Sequence, residues 1–412
     1  MGARDFEDKL LRYVGELCRS DGETPTIGLD TPLFESGLID SLRVVELMAF
    51  VEHELGIRIP DDKLSMEFFR SAATIAGAFA GGSTAPQAGT DAPLLHFGAG
   101  ARTPSRDGVS RMVANGDIAA GDNGCVALQG AALTLHRYFT RLFERVAWRE
   151  SAAPRRYPTL LPLADLQRTD YFKSFPQHAS FCTCLRHDTT TLQHFVADVK
   201  HGHAVSSAAQ GRLEEPSMVL TSAVCYHCYR EYAGRTLDGG LTVLTAQGQC
   251  FRNERGAFRA LDRCYEFTMR EVVFLGEPAA IDARRMRLLE QTVAFADSIG
   301  MAGTVERATD FFFRDDVDGR ARTLHQRANS LALKYELRVR MDDAGASLAV
   351  ASFNLHDDYF GRSFGIRLPD GAPASTGCVG FGIERWVSAF LAYHGADPSR
   401  WPADVLAGGA LP

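Results

Sequence analysis

The sequence contains no apolar run that approaches the roughly 20 residues a membrane-spanning helix needs. Its N-terminus begins with an acidic amphipathic segment, not with a basic stretch followed by an apolar run, so a secretory signal is not expected. Nine cysteines, an odd number at irregular positions, do not form the pattern of a disulfide framework. We therefore expect free thiols in a reducing compartment, the cytoplasm, with some of them able to bind a metal ion.

The chain also lacks an excess of basic charge. Residues 1–82 contain 15 Asp and Glu against 8 Lys and Arg, whereas 36 acids and 36 bases cancel in the remainder, so the first 82 residues carry the whole net charge of −7. A neutral large domain lacks the strong basic field typical of a tRNA or DNA binder, although a local basic patch can be hidden in a neutral total. The charge pattern indicates an acidic N-terminal domain and argues against a nucleic-acid partner.

A stretch of simple composition separates the acidic part from the rest. Residues 83–105 are rich in Gly, Ala, Pro, Thr and Ser, which cannot bury enough apolar surface to offset the entropy lost on ordering. A chain of 412 residues is also too long for one compact core. We expect a first domain over 1–82, a flexible linker over 83–105 and a second domain over 106–412.

The first domain is predicted to be helical throughout. Helical spacing of apolar residues predicts a helix near the N-terminus, a second that begins near Ser41 and ends before Gly56, and a last short helix from Ser71. The apolar residues that carry these helices are Phe6, Leu10, Val14 and Leu17, then Leu42, Val45, Met48, Val51 and Leu55, and finally Ile75 and Phe79.

The second domain mixes helices and strands. Residues 130–147 and 278–299 have helical spacing, whereas the β-branched runs at 241–245, 272–275 and 348–353 are typical of strands. Long, separated strands with few helices between them favour an antiparallel sheet, so we predict an α+β fold.

A serine lies at the predicted start of the second helix. Residues 33–42 read Leu-Phe-Glu-Ser-Gly-Leu-Ile-Asp-Ser-Leu, which ends on Ser41 and a leucine. A serine at a helix start is exposed, and the helix N-terminus tolerates an attached phosphodiester; alternatively, Ser41 is only an N-cap residue. With Phe34 and Gly37, the segment makes residues 1–82 resemble an acyl or peptidyl carrier protein. This resemblance implies that Ser41 carries 4′-phosphopantetheine, attached by a phosphopantetheinyl transferase.

Three segments of the second domain resemble the motifs of class II aminoacyl-tRNA synthetases. Residues 133–160, a predicted helix that leads to a Tyr-Pro pair, are similar to the dimer-interface motif, although many helix-to-strand junctions contain a proline. The second motif is matched by residues 250–254, Cys-Phe-Arg-Asn-Glu, and 263–271, Arg-Cys-Tyr-Glu-Phe-Thr-Met-Arg-Glu; the third is matched by 380–385, Gly-Phe-Gly-Ile-Glu-Arg. The resemblance implies a homodimer and a class II antiparallel sheet domain with flanking helices, joined here to a four-helix carrier domain.

These motifs supply what activation of a carboxylate by ATP requires. Attack on the α-phosphate builds negative charge, which fixed guanidinium groups stabilise. The resemblance puts Arg252 on the α-phosphate, Arg263 near the γ-phosphate and Arg385 over the adenine and the γ-phosphate, and we expect these three arginines to be catalytic. It also puts Phe267 against the adenine ring and Glu254 near the adenine amino group. The alternative is that the arginines form ordinary surface salt bridges.

Two cysteines and a glutamate occupy informative positions around these motifs. Cys225 precedes the second motif, Glu271 closes it, and Cys378 lies directly before the third. A zinc site of this kind belongs to the methanogen-type seryl-tRNA synthetases and to their shortened relatives, the amino acid:[carrier protein] ligases, which the chain resembles. Three protein ligands leave a fourth position open on zinc, which the neutral α-amino group of a substrate can fill. Thiolates and a carboxylate favour zinc over magnesium.

Other interpretations of the cysteines stay open at this point. Cys225 and Cys228 can combine with Cys182 and Cys184 in a structural four-cysteine site, although the second pair has a poor spacing. Alternatively, the cysteines are simply buried.

Three polar residues between the second and third motifs are candidates for the substrate or magnesium pocket. Glu336, Ser352 and Asn354 lie in segments that resemble the ligase family, but polar residues on strands often only face solvent. Leu355 and Asp357 replace part of the family's histidine-rich pattern, which leaves the choice of amino acid open.

The resemblances together imply an ATP-dependent ligase that loads a carrier protein. With Mg²⁺, ATP and a small amino acid give an aminoacyl-adenylate, and the thiol of the arm on Ser41 then takes the aminoacyl group as a thioester, in cis or across a dimer. One alternative is a synthetase that charges tRNA, against which the sequence shows neither a long heptad-bearing arm nor a separate basic domain. Another is a non-catalytic scaffold that presents the carrier, although all the motif arginines are present.

Overall fold

The computed structural model describes residues 3–17, 27–33, 38, 43–55, 57, 59, 63, 66–80, 93–169, 171–254, 258–308 and 334–406. These residues divide into two compact units, which are treated separately below. One unit is drawn from residues 1–93, 173–175 and 307–333, and the other from residues 94–172, 176–306 and 334–412.

The N-terminal unit is helical, as its periodicity predicts. It contains α1 (Ala3–Leu17), α2 (Arg43–Leu55), a 3-10 segment (Met66–Phe69) and α3 (Ala72–Phe79). Ser71 caps α3 by accepting a hydrogen bond from the Thr74 amide, the usual role of a serine at a helix start. Seven of the predicted apolar positions are buried in one core, and Leu55 is partly buried against it; the seven are Phe6, Leu10, Val14, Met48, Val51, Ile75 and Phe79.

The large unit is built on an eight-stranded sheet with the strand order β1-β10-β11-β12-β13-β9-β8-β4. The pairs that form its centre, from β11 to β8, are antiparallel, and the edge pair of β4 and β8 is parallel. The predicted α+β fold with an antiparallel sheet is therefore confirmed. The sheet strands are β1 (Leu95–Phe97), β4 (Ala153–Arg155), β8 (Leu241–Phe251), β9 (Glu266–Gly276), β10 (Gly303–Arg307), β11 (Lys334–Arg340), β12 (Ser347–Leu355) and β13 (Ser375–Gly382).

Two small sheets and a set of helices complete the unit. The small sheets pair β2 with β3 and β5 with β7 and β6. Their strands are β2 (Ile118–Ala120), β3 (Val126–Leu128), β5 (Leu160–Pro162), β6 (Phe181–Cys182) and β7 (Met218–Leu220). The helices are α4 (Asp107–Ala114), α5 (Gly130–Arg149), α6 (Leu163–Gln167), α7 (Tyr171–Ser174), α8 (Thr189–Lys200), α9 (Val205–Ala209), α10 (Cys225–Glu231), α11 (Pro278–Ser298), α12 (Tyr359–Phe364), α13 (Ile383–His394) and α14 (Ala403–Leu406). No helix among the described residues is long and apolar enough to cross a membrane.

The two faces of the sheet differ at the central strand β13: one face packs against helices, and the other is polar. On the packed face the Phe381 ring stacks on Phe143 of α5 at 4.1 Å between centroids. On that same face Gly377 lets α11 approach, because a Cβ there would lie 2.7 Å from Ile281 Cγ2. Since successive side chains alternate along a strand, Cys378 and Gly380 point to the opposite face. That second face carries the candidate site.

The structure differs from the predicted linker at the C-terminal end of that segment. Leu95–Phe97 forms the edge strand β1, which pairs antiparallel with β10 through Leu95 and Val305. The Leu-Leu-His-Phe sequence at 94–97 is the one apolar stretch within 83–105, and it adds a strand to an otherwise open edge. The overall composition of the segment obscured this short apolar run.

Candidate active site and metal centre

Seven of the residues expected to bind nucleotide or substrate line one cleft on the polar face of the sheet. Its wall contains Arg252, Glu254, Arg263, Phe267, Glu336, Ser352 and Arg385. They come from the end of β8, from β9, from the neighbouring strands β11 and β12, and from the start of α13. Residues more than 130 positions apart are thus brought to one site. We call this part of the molecule the nucleotide end.

Strand register explains how the cleft continues toward the predicted metal ligands. Glu271 on β9 pairs with Gly380 on β13, and Gly380 pairs in turn with Ser352 on β12. Asn354 lies opposite Cys378 in the same ladder. Residues that stand opposite each other have neighbouring side chains, so three adjacent strands present these groups side by side.

The first motif arginine is held by a backbone carbonyl and an aromatic ring. Arg252 Nε and Nη2 both donate to the Ser222 carbonyl oxygen at 3.4 Å. Its guanidinium carbon lies 5.2 Å from the centroid of the Phe267 ring, a cation–π contact. Neither contact neutralises the positive charge, which stays available to an anionic ligand.

Two other residues at the nucleotide end take part in ion pairs. Arg263 Nε lies 3.2 Å from Glu254 Oε2. Glu336 lies 3.4 Å from Lys334 Nζ and 2.9 Å from Arg338 Nη1, so it is part of an ion-pair network along β11. The salt-bridge alternative for the motif arginines therefore describes Arg263, whereas no ion pair among the described residues involves Arg252.

Arg385 is half-buried, and two backbone carbonyls hold its guanidinium. Its Nε donates to the Asp262 carbonyl oxygen at 2.9 Å, and its Nη1 donates to the Ala349 carbonyl oxygen at 3.0 Å. Burial lowers its pKa, and the nearby Arg252 lowers it further. A half-buried guanidinium that donates to two neutral carbonyls keeps its positive charge available to an incoming anion.

The predicted metal ligands form a compact group beside the cleft, next to Gly380 and Ser352 of its wall, and we call this group the metal end. Ligand atoms of Cys225 at the start of α10, Glu271 on β9 and Cys378 on β13 all lie within 4.8 Å of one another, and all three residues are buried. Among the residues that the structure describes, this is the one group of three or more such side chains; Cys182, Cys184 and Cys228 do not join it.

The electrostatics of the metal end fit a bound cation. Glu271 Oε2 is buried without a hydrogen-bond partner, an arrangement that is costly for a carboxyl group. Burial raises the pKa of Glu271 to about 8, with the neighbouring Cys378 as the second cause. The hydrogen bond with Cys378 and burial raise the pKa of Cys225, whereas the same bond lowers the pKa of Cys378. A divalent cation would stabilise three ionised ligands that this site otherwise disfavours.

Asn354 connects the nucleotide end and the metal end. Its Nδ2 donates to Ser352 Oγ at 3.2 Å and to Cys378 Sγ at 3.4 Å. Thus Ser352 lines the cleft, while Asn354 supports a metal-end thiol.

Several residues near the site were not predicted from the sequence. His356 Nε2 lies 4.0 Å from Cys378 Sγ, and its alternation with Asn354 along the chain is the signal that places it on the same face. His178 Nε2 lies 3.9 Å from Glu254 Oε1, and Asp262 supports Arg385. The sequence gives no comparable signal for these last two, since both contacts join distant segments. Ser41 lies outside the described residues, so its role as the arm's attachment point stays a prediction.

Comparisons with known proteins match both parts of the chain. Residues 8–79 match the family described as a phosphopantetheine attachment site. Amino acid--[acyl-carrier-protein] ligase 1 of Bradyrhizobium diazoefficiens is 34% identical over 257 residues, which cover 61% of this chain and 74% of that protein. The type-2 serine--tRNA ligase of Methanopyrus kandleri is 28% identical over 280 residues, which cover 64% of this chain and 52% of that protein.

Solved structures share the fold. M. kandleri SerRS in complex with A. aeolicus tRNASec superimposes with a TM-score of 0.68 at 24% identity, covering 85% of this chain and 70% of that one. Cytoplasmic serine-tRNA ligase from Naegleria fowleri in complex with AMP gives a TM-score of 0.58 at 11% identity, covering 99% of this chain and 87% of that one. The large unit is therefore a class II synthetase-like domain. Given its similarity to the Bradyrhizobium ligase over most of that protein's length, the chain belongs to the amino acid--[acyl-carrier-protein] ligase family and adds an N-terminal phosphopantetheine attachment domain.

Proposed function

We propose that the chain activates a small amino acid with ATP and transfers it to the phosphopantetheine thiol of its own N-terminal carrier domain. The observation that carries the proposal is the adjacency of the two ends: Ser352 lines the cleft together with three motif arginines, and Asn354 donates both to Ser352 Oγ and to the sulfur of the buried Cys378. In this proposal, one chain combines a nucleotide site, an amine site and a carrier.

The nucleotide end supports adenylate formation. Arg252 is assigned to the α-phosphate from its place in the second motif, and no carboxylate among the described residues pairs with its charge. Arg263 and Arg385 are assigned to the γ-phosphate region, and Phe267 and Glu254 to the adenine. Mg²⁺ would accompany ATP and share the neutralisation of the phosphates. The arginines stabilise the charge that develops at the α-phosphate when the amino-acid carboxylate attacks it.

The metal end supports binding of the amino group. Cys225, Glu271 and Cys378 would hold a zinc ion, since two thiolates and a carboxylate are typical zinc ligands. Zinc with three protein ligands offers a fourth position to a neutral amine. Asn354 fixes the Cys378 sulfur, and the buried surroundings exclude water from the site.

The space between the two ends favours a small side chain. A Cβ on Gly380 would lie 2.8 Å from Met269 Cε, 3.4 Å from Ser352 Oγ and 3.9 Å from Glu271 Cγ. Side chains thus pack closely around Gly380, between the two ends of the site. We expect this site to take a small amino acid such as glycine, alanine or serine.

The second step transfers the aminoacyl group to a thiol. In our proposal a phosphopantetheinyl transferase modifies Ser41, and the arm's sulfur attacks the adenylate carbonyl and releases AMP. Loading in cis and loading across a homodimer both satisfy this chemistry. We propose residues 1–82 as the carrier, 106–412 as the ligase and the cytoplasm as the location.

Charging of tRNA is a second candidate, favoured by the similarity to type-2 serine--tRNA ligases. This chain spans about half the length of those proteins. The two functions share the first step and differ in the acceptor. Loading of total tRNA and of the phosphopantetheinylated chain, measured side by side with the same labelled amino acid, separates them.

The first step is tested by amino-acid-dependent exchange of pyrophosphate into ATP, screened over all twenty amino acids with zinc-loaded protein. The proposal predicts exchange with one or a few small amino acids. Absence of exchange with every amino acid, from folded and metal-loaded protein, would contradict it and would favour a scaffold that presents the carrier.

A further inference from the structure

A buried aspartate next to the nucleotide end connects three segments of the chain. The Asp262 side chain is only 4% exposed. Its Oδ2 accepts a hydrogen bond from Arg106 Nη1 at 2.7 Å, and its Oδ1 accepts one from Ser388 Oγ at 2.5 Å. Each carboxylate oxygen is therefore occupied by a partner from a different element, the start of α4 and the body of α13.

The backbone of the same residue holds the motif arginine. The Asp262 carbonyl oxygen accepts from Arg385 Nε, and the Ala349 carbonyl oxygen accepts from Nη1. Two of the guanidinium nitrogens are thereby fixed, while the side chain still lines the cleft. The position of the Asp262 backbone consequently sets the plane of the Arg385 guanidinium.

The backbone around Asp262 has an unusual conformation. Arg259 and Arg263 pair through two backbone hydrogen bonds of 2.9 and 3.0 Å, which close a tight hairpin. At its tip the buried Leu261 has a φ of 64°, in the left-handed region that leucine rarely adopts. A strained conformation of this kind persists only where surrounding contacts fix it. The two side-chain bonds of Asp262 are such contacts, and Arg263 directly follows it.

Arg106 is itself held firmly against α13. The preceding Ser105 amide donates to the Ala392 carbonyl oxygen at 2.8 Å. Two residues later, Gly108 approaches the Leu391 carbonyl so closely that a Cβ would lie 2.2 Å from it. Arg106 Nε also lies 3.3 Å from Asp342 Oδ2 in the turn after β11. These contacts fix the guanidinium that reaches Asp262.

We propose that Arg106 and Asp262 form a positioning pair for ATP: the ion pair holds the hairpin so that the Asp262 carbonyl orients Arg385 in the nucleotide cleft. The proposal rests on the function proposed above. It adds to the site two residues, Arg106 and Asp262, that are not among the motif positions named from the sequence.

The test compares Arg106→Ala and Arg106→Lys with Arg111→Ala, an exposed arginine on the same helix α4. Two measurements are made on the full chain: the ATP-induced shift of the unfolding midpoint, and KM for ATP, KM for the amino acid and kcat in pyrophosphate exchange. We expect Arg106→Ala to raise KM for ATP about tenfold and to shrink the ATP-induced shift, with KM for the amino acid and zinc content unchanged. Arg106→Lys, which keeps the positive charge, is expected to show a smaller rise in KM for ATP and a larger ATP-induced shift than Arg106→Ala.

Asp262→Asn supplies a second variant, which keeps the side chain's volume and its bond to Ser388 but removes the negative charge. It is expected to match Arg106→Ala in KM for ATP. If the pair only stabilises the fold, Arg106→Ala and Asp262→Asn lower the unfolding midpoint but leave KM for ATP unchanged in the folded fraction. That result, or an equal rise of KM in Arg111→Ala, overturns the inference. If the unchanged chain binds ATP but catalyses no exchange, the proposed function fails, while the binding comparison between variants still tests the pair.

Discussion

The metal end and the nucleotide end of the candidate site are constructed in different ways. The metal ligands are buried, and two of them, Glu271 and Cys378, are fixed by neighbouring strands in the middle of the sheet. The motif arginines are instead held by backbone carbonyls: Arg252 by one, at a strand end, and Arg385 by two, at a helix start. The first arrangement gives a rigid donor set for a cation, and the second leaves positive charge available to an anion.

This difference has an energetic consequence. At the metal end each acidic group raises the cost of ionising the next, so we expect the predicted ligands to act together and the loss of one to abolish metal binding. At the nucleotide end each arginine is proposed to make its own interaction with a phosphate, so we expect graded losses. Four changes test this contrast, from the largest expected effect to the smallest.

Replacing one predicted metal ligand tests whether the residues of the metal end act together. Cys378→Ala is expected to lose bound zinc and amino-acid activation together, because two remaining ligands do not hold the ion. Metal content by mass spectrometry and pyrophosphate exchange are measured on the same sample. Cys184→Ala, an exposed cysteine outside the group, is the matched control. A zinc-free Cys378→Ala variant with full exchange activity would refute the metal site.

Replacing a motif arginine tests whether losses at the nucleotide end are graded. Arg252→Ala should lower kcat/KM for pyrophosphate exchange by about 10³-fold, the loss expected for a group that stabilises developing charge. Zinc content should remain at one ion per chain. Arg400→Ala provides a control away from the cleft. An effect of only a few-fold would count against the class II assignment of Arg252.

Asn354 links the two ends, so its loss should be visible mainly at the metal end. Removal of its bond to the Cys378 sulfur in Asn354→Ala is expected to weaken zinc binding about tenfold, as for other residues that support metal ligands. Competition with a chelator measures the affinity, and Ser352→Ala is the comparison. If both variants bind zinc as the unchanged chain does, Asn354 does not support the metal ligand.

Zinc affinity should depend on pH through Glu271. Because the pKa of its metal-free carboxyl is raised to about 8, zinc must displace a proton below that pH. The Cys225 thiol, whose pKa is also raised, loses its proton to the metal over the same range, so affinity should rise by up to about a hundredfold per pH unit between pH 6 and 8 and by about tenfold per unit above 8. Chelator competition from pH 6 to 9 gives the slope. A slope of about tenfold per unit that does not change near pH 8 would mean that Glu271 is ionised before the metal binds.

Periodicity predicted much of the fold and little of the site's detail. The apolar repeats of α1 to α3 and the β-branched runs of β8, β9 and β12 are local signals, and the elements appear where they were expected. Strand β1 was missed because three residues cannot express a period within a segment rich in small residues.

The site shows the same division between local and distant signals. Positions such as Cys378 and Arg385 were found through their place in motifs, and the strand register then brought them near Glu271 and Arg252. The role of Asp262 could not be predicted, since it acts through a backbone carbonyl on a residue 123 positions away. Such contacts depend on the tertiary fold and leave no pattern in the chain.

The most direct test of the proposed loading is the intact mass of the phosphopantetheinylated chain after incubation with ATP, Mg²⁺ and the amino acid that supports exchange. The mass should increase by one aminoacyl group, the increase should disappear on thioester cleavage with hydroxylamine, and Ser41→Ala should keep pyrophosphate exchange but gain no mass. An aminoacyl group that appears equally on Ser41→Ala, or a modified chain that stays unloaded while adenylate forms, would contradict the proposal.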